Sequence, residues 1–164
     1  MTGRIVSLNT SAKKGVRKKP VKEVVMKTEY GIEGDGHASS EWHRQVSLLA
    51  LESIKKMQDK GLDVKPGDFA ENITTEGIDL PALPVGTQMI LGDGVKAEVT
   101  QIGKVCHTKC AIYYQAGDCA NCHPDIFNIK KKTTVHFSMS RILKSEFCGV
   151  CHLKIAFPLD DCGR

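Results

Sequence analysis

Residues Leu83–Gly103 read LPVGTQMILGDGVKAEVTQIG, and this stretch decides the fold class. QMIL and VKAEVTQI are apolar and β-branched runs set on either side of Gly92-Asp93-Gly94, a composition that gives two strands around a tight turn. Working outward, the same signal recurs. Gly3–Asn9 (GRIVSLN) alternates loosely and predicts a first strand, and Val21–Met26 (VKEVVM) predicts a second after the loop SAKKGVRKKP. Glu29–Ser40 (EYGIEGDGHASS) is rich in glycine and polar turn formers and predicts a loop. Gln45–Leu51 (QVSLLAL) predicts a buried strand running into a helix that places Ile54 and Met57 at helical spacing and stops at Gly61. Asp68–Thr75 and Gly77–Leu80 give short strand and turn pieces. Beyond Lys104 the pattern changes, and helical periodicity is confined to Ser138–Phe147. Short β segments outnumber helices, so the expected class is mostly β with a few short helices.

The chain has 164 residues and 41% hydrophobic content, enough for one buried core and too little for two ordinary domains. Its formal net charge of +4 suits a protein that handles an anionic ligand and does not call for nucleic acid. Positive charge gathers at the start: Arg4, Lys13, Lys14, Arg17, Lys18, Lys19 and Lys22 precede any acidic residue. A solvated basic loop and an anion-binding loop both fit that run. No apolar run is long enough to span a bilayer and no signal-peptide pattern is present, so no membrane role and a cytoplasmic location are expected. Seven cysteines, an odd number without an export signal, read as reduced thiols or metal ligands and not as a disulfide framework.

The densest chemistry is Cys106-His107-Thr108-Lys109-Cys110, directly after the strand Val95–Ile102. Lys104, His107 and Lys109 supply positive potential that favours a thiolate, the form that attacks sulfur or ligates a soft metal. Cysteines four apart share a helical face or a tight loop, so one can carry a persulfide and the other resolve it. Two small buried hydrophobes is the alternative. His37 in the GDGH loop, with Asp35, and then Trp42-His43-Arg44 bring two imidazoles and a guanidinium close in sequence. Arg44, with the basic loop of Lys13 and Lys18, is a candidate for holding a phosphate or carboxylate. Glu71 and Asn72 are read as neighbours in a strand that point to opposite faces, so that only one faces a pocket, with Asn72 the candidate for a pterin edge or a loop.

Cys119-Ala120-Asn121-Cys122-His123 and Cys148-Gly149-Val150-Cys151-His152 repeat a CxxCH pattern. Two such knuckles fit a four-thiolate zinc site of Cys119, Cys122, Cys148 and Cys151, or stand as unpaired thiols. Haem attachment uses the same letters but belongs outside the cytoplasm. No phosphate loop, GxGxxG or GxSxG signature is present.

Taken together, SAKKGVRKKPV, GIEGDGHA, HRQVSLLALESI, PGDFAENITTEGIDL, LPVGTQMILG, EVTQIGKVCHTKCAIY and GDC resemble the MOSC domain family in its short stand-alone form, named after the C-terminal part of molybdenum-cofactor sulfurase. The resemblance covers roughly residues 3–119 in the family's order. It implies a compact, distorted β-barrel and a pocket for molybdenum cofactor or a related sulfur-bearing group. It also implies use as a sulfur carrier toward a donor or acceptor protein in metal-sulfur cofactor assembly and, at family level only, an association with pyridoxal phosphate. The family's characteristic cysteine falls on Cys106. In the amidoxime-reducing relatives, which need a partner electron donor to reduce N-hydroxylated compounds, the molybdenum-ligating cysteine resembles Cys119 by position. His37, Arg44 and the Glu71-Asn72 pair match motifs that line the family's pocket. Residues 1–119 therefore read as the domain core. Residues 120–164, where the family's usual closing strand is missing, read as an atypical cysteine-rich segment that completes the barrel, leaves an edge exposed, or forms a metal-stapled appendage. A non-catalytic zinc-binding interaction module is the reading from another class.

Overall fold

The computed structural model describes residues 2–92, 94–103, 113–114, 126–131, 135–138 and 152–156. Its strands are β1 (Thr2–Thr10), β2 (Lys19–Val21), β3 (Glu23–Lys27), β4 (Gly31–Ile32), β5 (Val46–Ala50), β6 (Ile73–Glu76), β7 (Gln88–Leu91), β8 (Val95–Ile102), β9 (Ile126–Lys131), β10 (Val135–Ser138) and β11 (His152–Ala156). One α-helix, α1 (Leu51–Asp59), and a short 3-10 turn at Leu80–Ala82 complete the described elements. The mostly β expectation is met.

The large sheet runs β11-β7-β8-β9-β5-β6-β1-β2, and β11 pairs with β1 as well as β7. The pairing therefore returns to its start through β1, a barrel-like arrangement, with β2 as a short spur. All of these pairs are antiparallel except β5 with β6, which lie parallel on either side of α1 in the chain. A second sheet, β10-β3-β4, is smaller. β9, β10 and β11, from the last third of the chain, thus enter both sheets.

Alternation explains how the core fills. Val46, Leu48 and Ala50 of β5 face the main apolar cluster, while Leu49 faces a second cluster with Ile54, Met57, Leu62, Val64 and Phe69 beneath α1. In β1, Ile5 and Leu8 both reach the main cluster although three apart, because the register with β6 shifts between Ile5 and Ser7. The same device in β8, a shift between Val99 and Gln101, lets Ile102 pack against the core that Val95, Ala97 and Val99 enter. Fully burying a side chain such as Leu48 or Ile73 stabilises by roughly 1.5–3 kcal/mol.

Several boundaries differ from expectation. VKEVVM is divided at Lys22 between β2 and β3, which belong to different sheets. Of the strand and turn pieces expected over Asp68–Thr75 and Gly77–Leu80, the strand is β6 and the turn is Gly77, at φ +78, leading to the 3-10 turn. The helix expected over Ser138–Phe147 falls, apart from Ser138 at the end of β10, outside the described residues.

Candidate functional site

The face of β1, β5 and β6 turned away from the main cluster carries Ser7, Asn9, Ser47 and Thr74, short polar side chains that a purely apolar covering would leave unpaired. Three loops cover them. One is residues 11–18, one is the turn around Asp35, and one is the approach to β6 at residues 65–72. Asp35 stands where they meet. Lys18 Nζ lies 2.7 and 2.8 Å from its two carboxylate oxygens, and both side chains are fully buried. The same carboxylate accepts from the backbone N–H of Ser11 (3.2 Å) and His37 (2.9 Å), and from Asn72 Nδ2 (3.0 Å). Asn72 Nδ2 also donates to the Asn9 carbonyl, while Asn72 Oδ1 accepts from the N–H and hydroxyl of Ser47. One amide therefore ties β1, β5 and the Asp35 turn together.

Glycine permits the close approach. A Cβ on Gly36 would come within 2.8–3.0 Å of the backbone of Ala12, Lys13 and Lys14. Gly67, at φ +92, lies against the Lys18 carbonyl and exchanges a backbone hydrogen bond with that residue.

Burial by itself raises the Asp35 carboxyl, but hydrogen bonding from His37 and Lys18 and the Lys18 charge outweigh it and hold the group far below the usual carboxylate range. Burial lowers Lys18, against the pull of Asp35 and Glu71. Glu71 goes the other way: burial raises its carboxyl despite hydrogen bonds from the Gly67 N–H (2.6 Å) and the Thr74 hydroxyl (2.9 Å), both to Oε1. Its Oε2 is buried and has no hydrogen-bond partner among the described residues.

The expected opposition of Glu71 and Asn72 is corrected here. Both side chains are buried in this network, because the two residues precede β6 and follow Ala70 at φ +63, outside the alternation of a strand. Lys18, expected in a solvated or ligand-holding basic loop, has its ammonium taken up by Asp35. Lys13 remains exposed beside Gly36. His37 is partly exposed, with its ring Nδ1 3.5 Å from Asp35 Oδ1, an ion-pair distance but not a hydrogen bond.

A second, more open feature adjoins this network. Trp42, half exposed, stacks on His43 at 5.1 Å, and the Arg44 guanidinium lies 5.2 Å from the Trp42 ring centre. His43 Nε2 lies 3.0 Å from Gln101 Oε1, and the Thr100 hydroxyl donates to the His43 carbonyl at 3.1 Å. His43, and with it the row Trp42-His43-Arg44, is thus held at the end of β8 by Thr100 and Gln101, which lie three to six residues before Lys104-Val105-Cys106. Cys106, Cys110, Cys119, Cys122, Cys148 and Cys151 all lie outside the described residues. Among the described residues, no group of three or more His, Cys, Asp or Glu is placed to hold a metal ion.

Sequence reasoning singled out His37, Arg44 and Asn72 but missed Asn9 and Ser47 as partners of Asn72 and Gln101 as the partner of His43. Nothing in the letters distinguishes Lys18 from Arg17 and Lys19, since a loop has no period from which burial can be read. Among the described residues no helix is long and apolar enough to cross a membrane.

The solved structures that resemble the chain include the YUAD protein from Bacillus subtilis, with TM-score 0.71 and 13% identity over 94% of this chain and 96% of that one. YiiM from Geobacillus stearothermophilus gives 0.63 at 16% identity over 94% and 75%, and YiiM from Escherichia coli gives 0.61 at 18% over 98% and 72%. At these identities the likeness concerns the fold. No curated protein matches the chain. Neither these likenesses nor the described residues support pyridoxal phosphate binding. The MOSC domain family model matches residues 34–146, a span that takes in the Asp35 turn, the Trp42-His43-Arg44 row, Asn72 and the whole of β8, and the chain therefore belongs to the MOSC domain family.

Proposed function

We propose that the protein is a cysteine-dependent sulfur carrier of the MOSC type, in which Cys106 accepts sulfane sulfur for metal-sulfur cofactor assembly. The observation that supports this reading best is the fixing of His43 onto Gln101 and Thr100, which sets an exposed imidazole and the adjacent guanidinium beside the exit of β8. Cys106 follows Gly103 by three residues, a reach of at most roughly 11 Å by covalent geometry. An imidazole and a neighbouring guanidinium near the end of β8 would favour the thiolate and attract an anionic donor. In the loading step the Cys106 thiolate attacks the terminal sulfur of a persulfide R–S–SH. The new Cys–S–SH bond forms as the donor's S–S bond breaks, and R–S⁻ leaves. Cys110 or Cys119 then assists release to an acceptor protein.

The family's association with molybdenum cofactor is tested by the donors present. Exposed Lys13, partly buried Arg44 and His37, whose ring Nδ1 has no hydrogen-bond partner among the described residues, fit the anionic end of such a ligand. A bound molybdenum cofactor would supply a metal that takes a soft thiolate ligand. The described side chains would hold its anion and exclude water from the Asp35 network.

Treatment with inorganic polysulfide, followed by desalting and intact mass spectrometry, tests the proposal. Wild type is expected to gain a sulfur that cyanide removes, and Cys106→Ser to gain none. Arg44→Gln is expected to load about tenfold more slowly at low salt and to respond less to added salt. Equal loading of wild type and Cys106→Ser would overturn the proposal.

A further inference from the structure

Three ionisable side chains, Lys18, Asp35 and Glu71, are buried together where residues 11–18, the Asp35 turn and residues 65–72 meet. Lys18 and Asp35 neutralise one another: both hydrogen bonds that the ammonium makes among the described residues go to the Asp35 carboxylate. Glu71 is the odd charge. It is 0% exposed, its hydrogen bonds from Gly67 and Thr74 both fall on Oε1, and Oε2 meets no donor among the described residues. Ionised, this carboxyl would be a buried charge without a counter-charge and with one oxygen bare; as the neutral acid it is not. Burial drives the group toward the same neutral form.

The surrounding elements do not supply the missing positive charge. β1, β5 and β6 bring Ser7, Asn9, Ser47 and Thr74 to the network, and Arg4 and Glu76, at the ends of β1 and β6 remote from it, pair with each other. Arg17, 64% exposed, reaches Asp68 at 3.5 Å. Lys65 is exposed, and the His37 ring faces Asp35.

Two hydrogen bonds in series connect Glu71 to the strap of residues 11–18. The Gly67 N–H donates to Glu71 Oε1 at 2.6 Å, and the Gly67 carbonyl accepts from the Lys18 N–H at 2.8 Å. The turn that carries them is confined. Gly67 lies too close to the Lys18 carbonyl for any side chain, and Ala70 holds φ +63, a left-handed conformation that costs a residue with a Cβ. At its other end the strap is held by the Gly36 N–H on the Ser11 carbonyl (2.7 Å) and by the Ser11 N–H on Asp35 (3.2 Å). Residues 12–17 between these ties are all exposed, so the strap is fastened at its two ends.

We propose that release of the Glu71 proton and opening of the strap are one coupled event. With the proton in place the strap stays down over Ser7, Asn9, Ser47 and Thr74. When the proton passes to solvent, water reaches Oε2, the contact between Gly67 and Lys18 parts, and that polar floor is uncovered. Opening that releases a proton is favoured as pH rises, in a window that begins at about 4.3, the ordinary glutamate value, and ends at the folded value.

Amide hydrogen exchange of the ¹⁵N-labelled full chain between about pH 4.5 and pH 7, with the intrinsic rates divided out, tests the proposal. The reporters are the N–H groups of Lys18, Gly67 and Gly36; the Val99 N–H, bonded to the Thr87 carbonyl, reports opening of the whole molecule. The reporters are expected to exchange at least about a hundredfold faster than Val99, and their protection to fall by up to about tenfold per pH unit inside the window. Glu71→Gln is expected to abolish that fall and His37→Gln to leave it in place, with Val99 protection showing that each variant is folded. Protection that is flat with pH in the wild type, that falls equally in Glu71→Gln, that loses its fall in His37→Gln, or that matches Val99 at every reporter would each overturn the proposal.

Discussion

Asp35 concentrates more interactions than any other described side chain, and its replacement has a determinate sign. Asp35→Asn leaves the Lys18 ammonium buried beside a neutral amide, and breaking one side of a buried pair costs about 3–5 kcal/mol. Urea denaturation at neutral pH is expected to show that loss; a variant as stable as wild type would mean that the pair adds nothing. The pH dependence follows from the directions of the shifts. Asp35 titrates lower in the folded than in the unfolded chain, so its contribution is present above the unfolded value of about 3.9 and is lost as pH falls below it toward the folded value. Glu71 titrates higher when folded, so its contribution is full below about 4.3 and is lost as pH rises through the folded value. Glu71→Gln removes that second dependence. Its stability relative to wild type is expected to improve from pH 4 toward pH 7, and a constant difference across that window would show that Glu71 ionises as freely in the folded chain as in the unfolded one.

Elements were legible where period and burial coincide. β5 running into α1, and β7 and β8 around Gly92-Asp93-Gly94, follow from apolar alternation and turn chemistry that the fold does not override. The bulges in β1 and β8 were not legible, because a residue inserted into one strand is defined only by its partner strand. The candidate site was half legible for a related reason. His37, Arg44 and Asn72 stand out by type, but which loops meet is a tertiary fact, set by glycines that allow backbone contact. Gly67 and Gly61 separate the two things a glycine can do. Both have positive φ, but a Cβ on Gly61 meets open space, whereas one on Gly67 falls 2.3 Å from the Lys18 carbonyl oxygen. Gly61→Ala is expected to cost about 1 kcal/mol from backbone strain alone. Gly67→Ala should cost several times that, because the loop carrying Lys18 must move. Thermal melts of the two variants decide it, and equal losses would show that the contact between these loops is not tight.

At the scale of the whole molecule, the pairing that returns to β1 depends on β11, a strand beyond the residues 34–146 that the family model matches. Leu153 pairs with Gly3 of β1 on one side and with Leu91 of β7 on the other, so its backbone lies between two ladders. Proline is tolerated in this fold at Pro20, but β2 is a spur with β1 as its only neighbour in the sheet order. Leu153→Pro puts the same residue where no edge is free: it removes an N–H from the ladder and fixes φ where an extended strand needs latitude. It would also unzip β1 from β7 and expose both as edges open to pairing with other chains. The expected result is a loss of several kcal/mol, a large share of a marginal folding free energy, with aggregation visible by size-exclusion chromatography. A parallel substitution at the spur, Val21→Pro, is expected to cost far less. If Leu153→Pro melts with wild type while Val21→Pro does not, β11 is not the strand that joins β7 to β1.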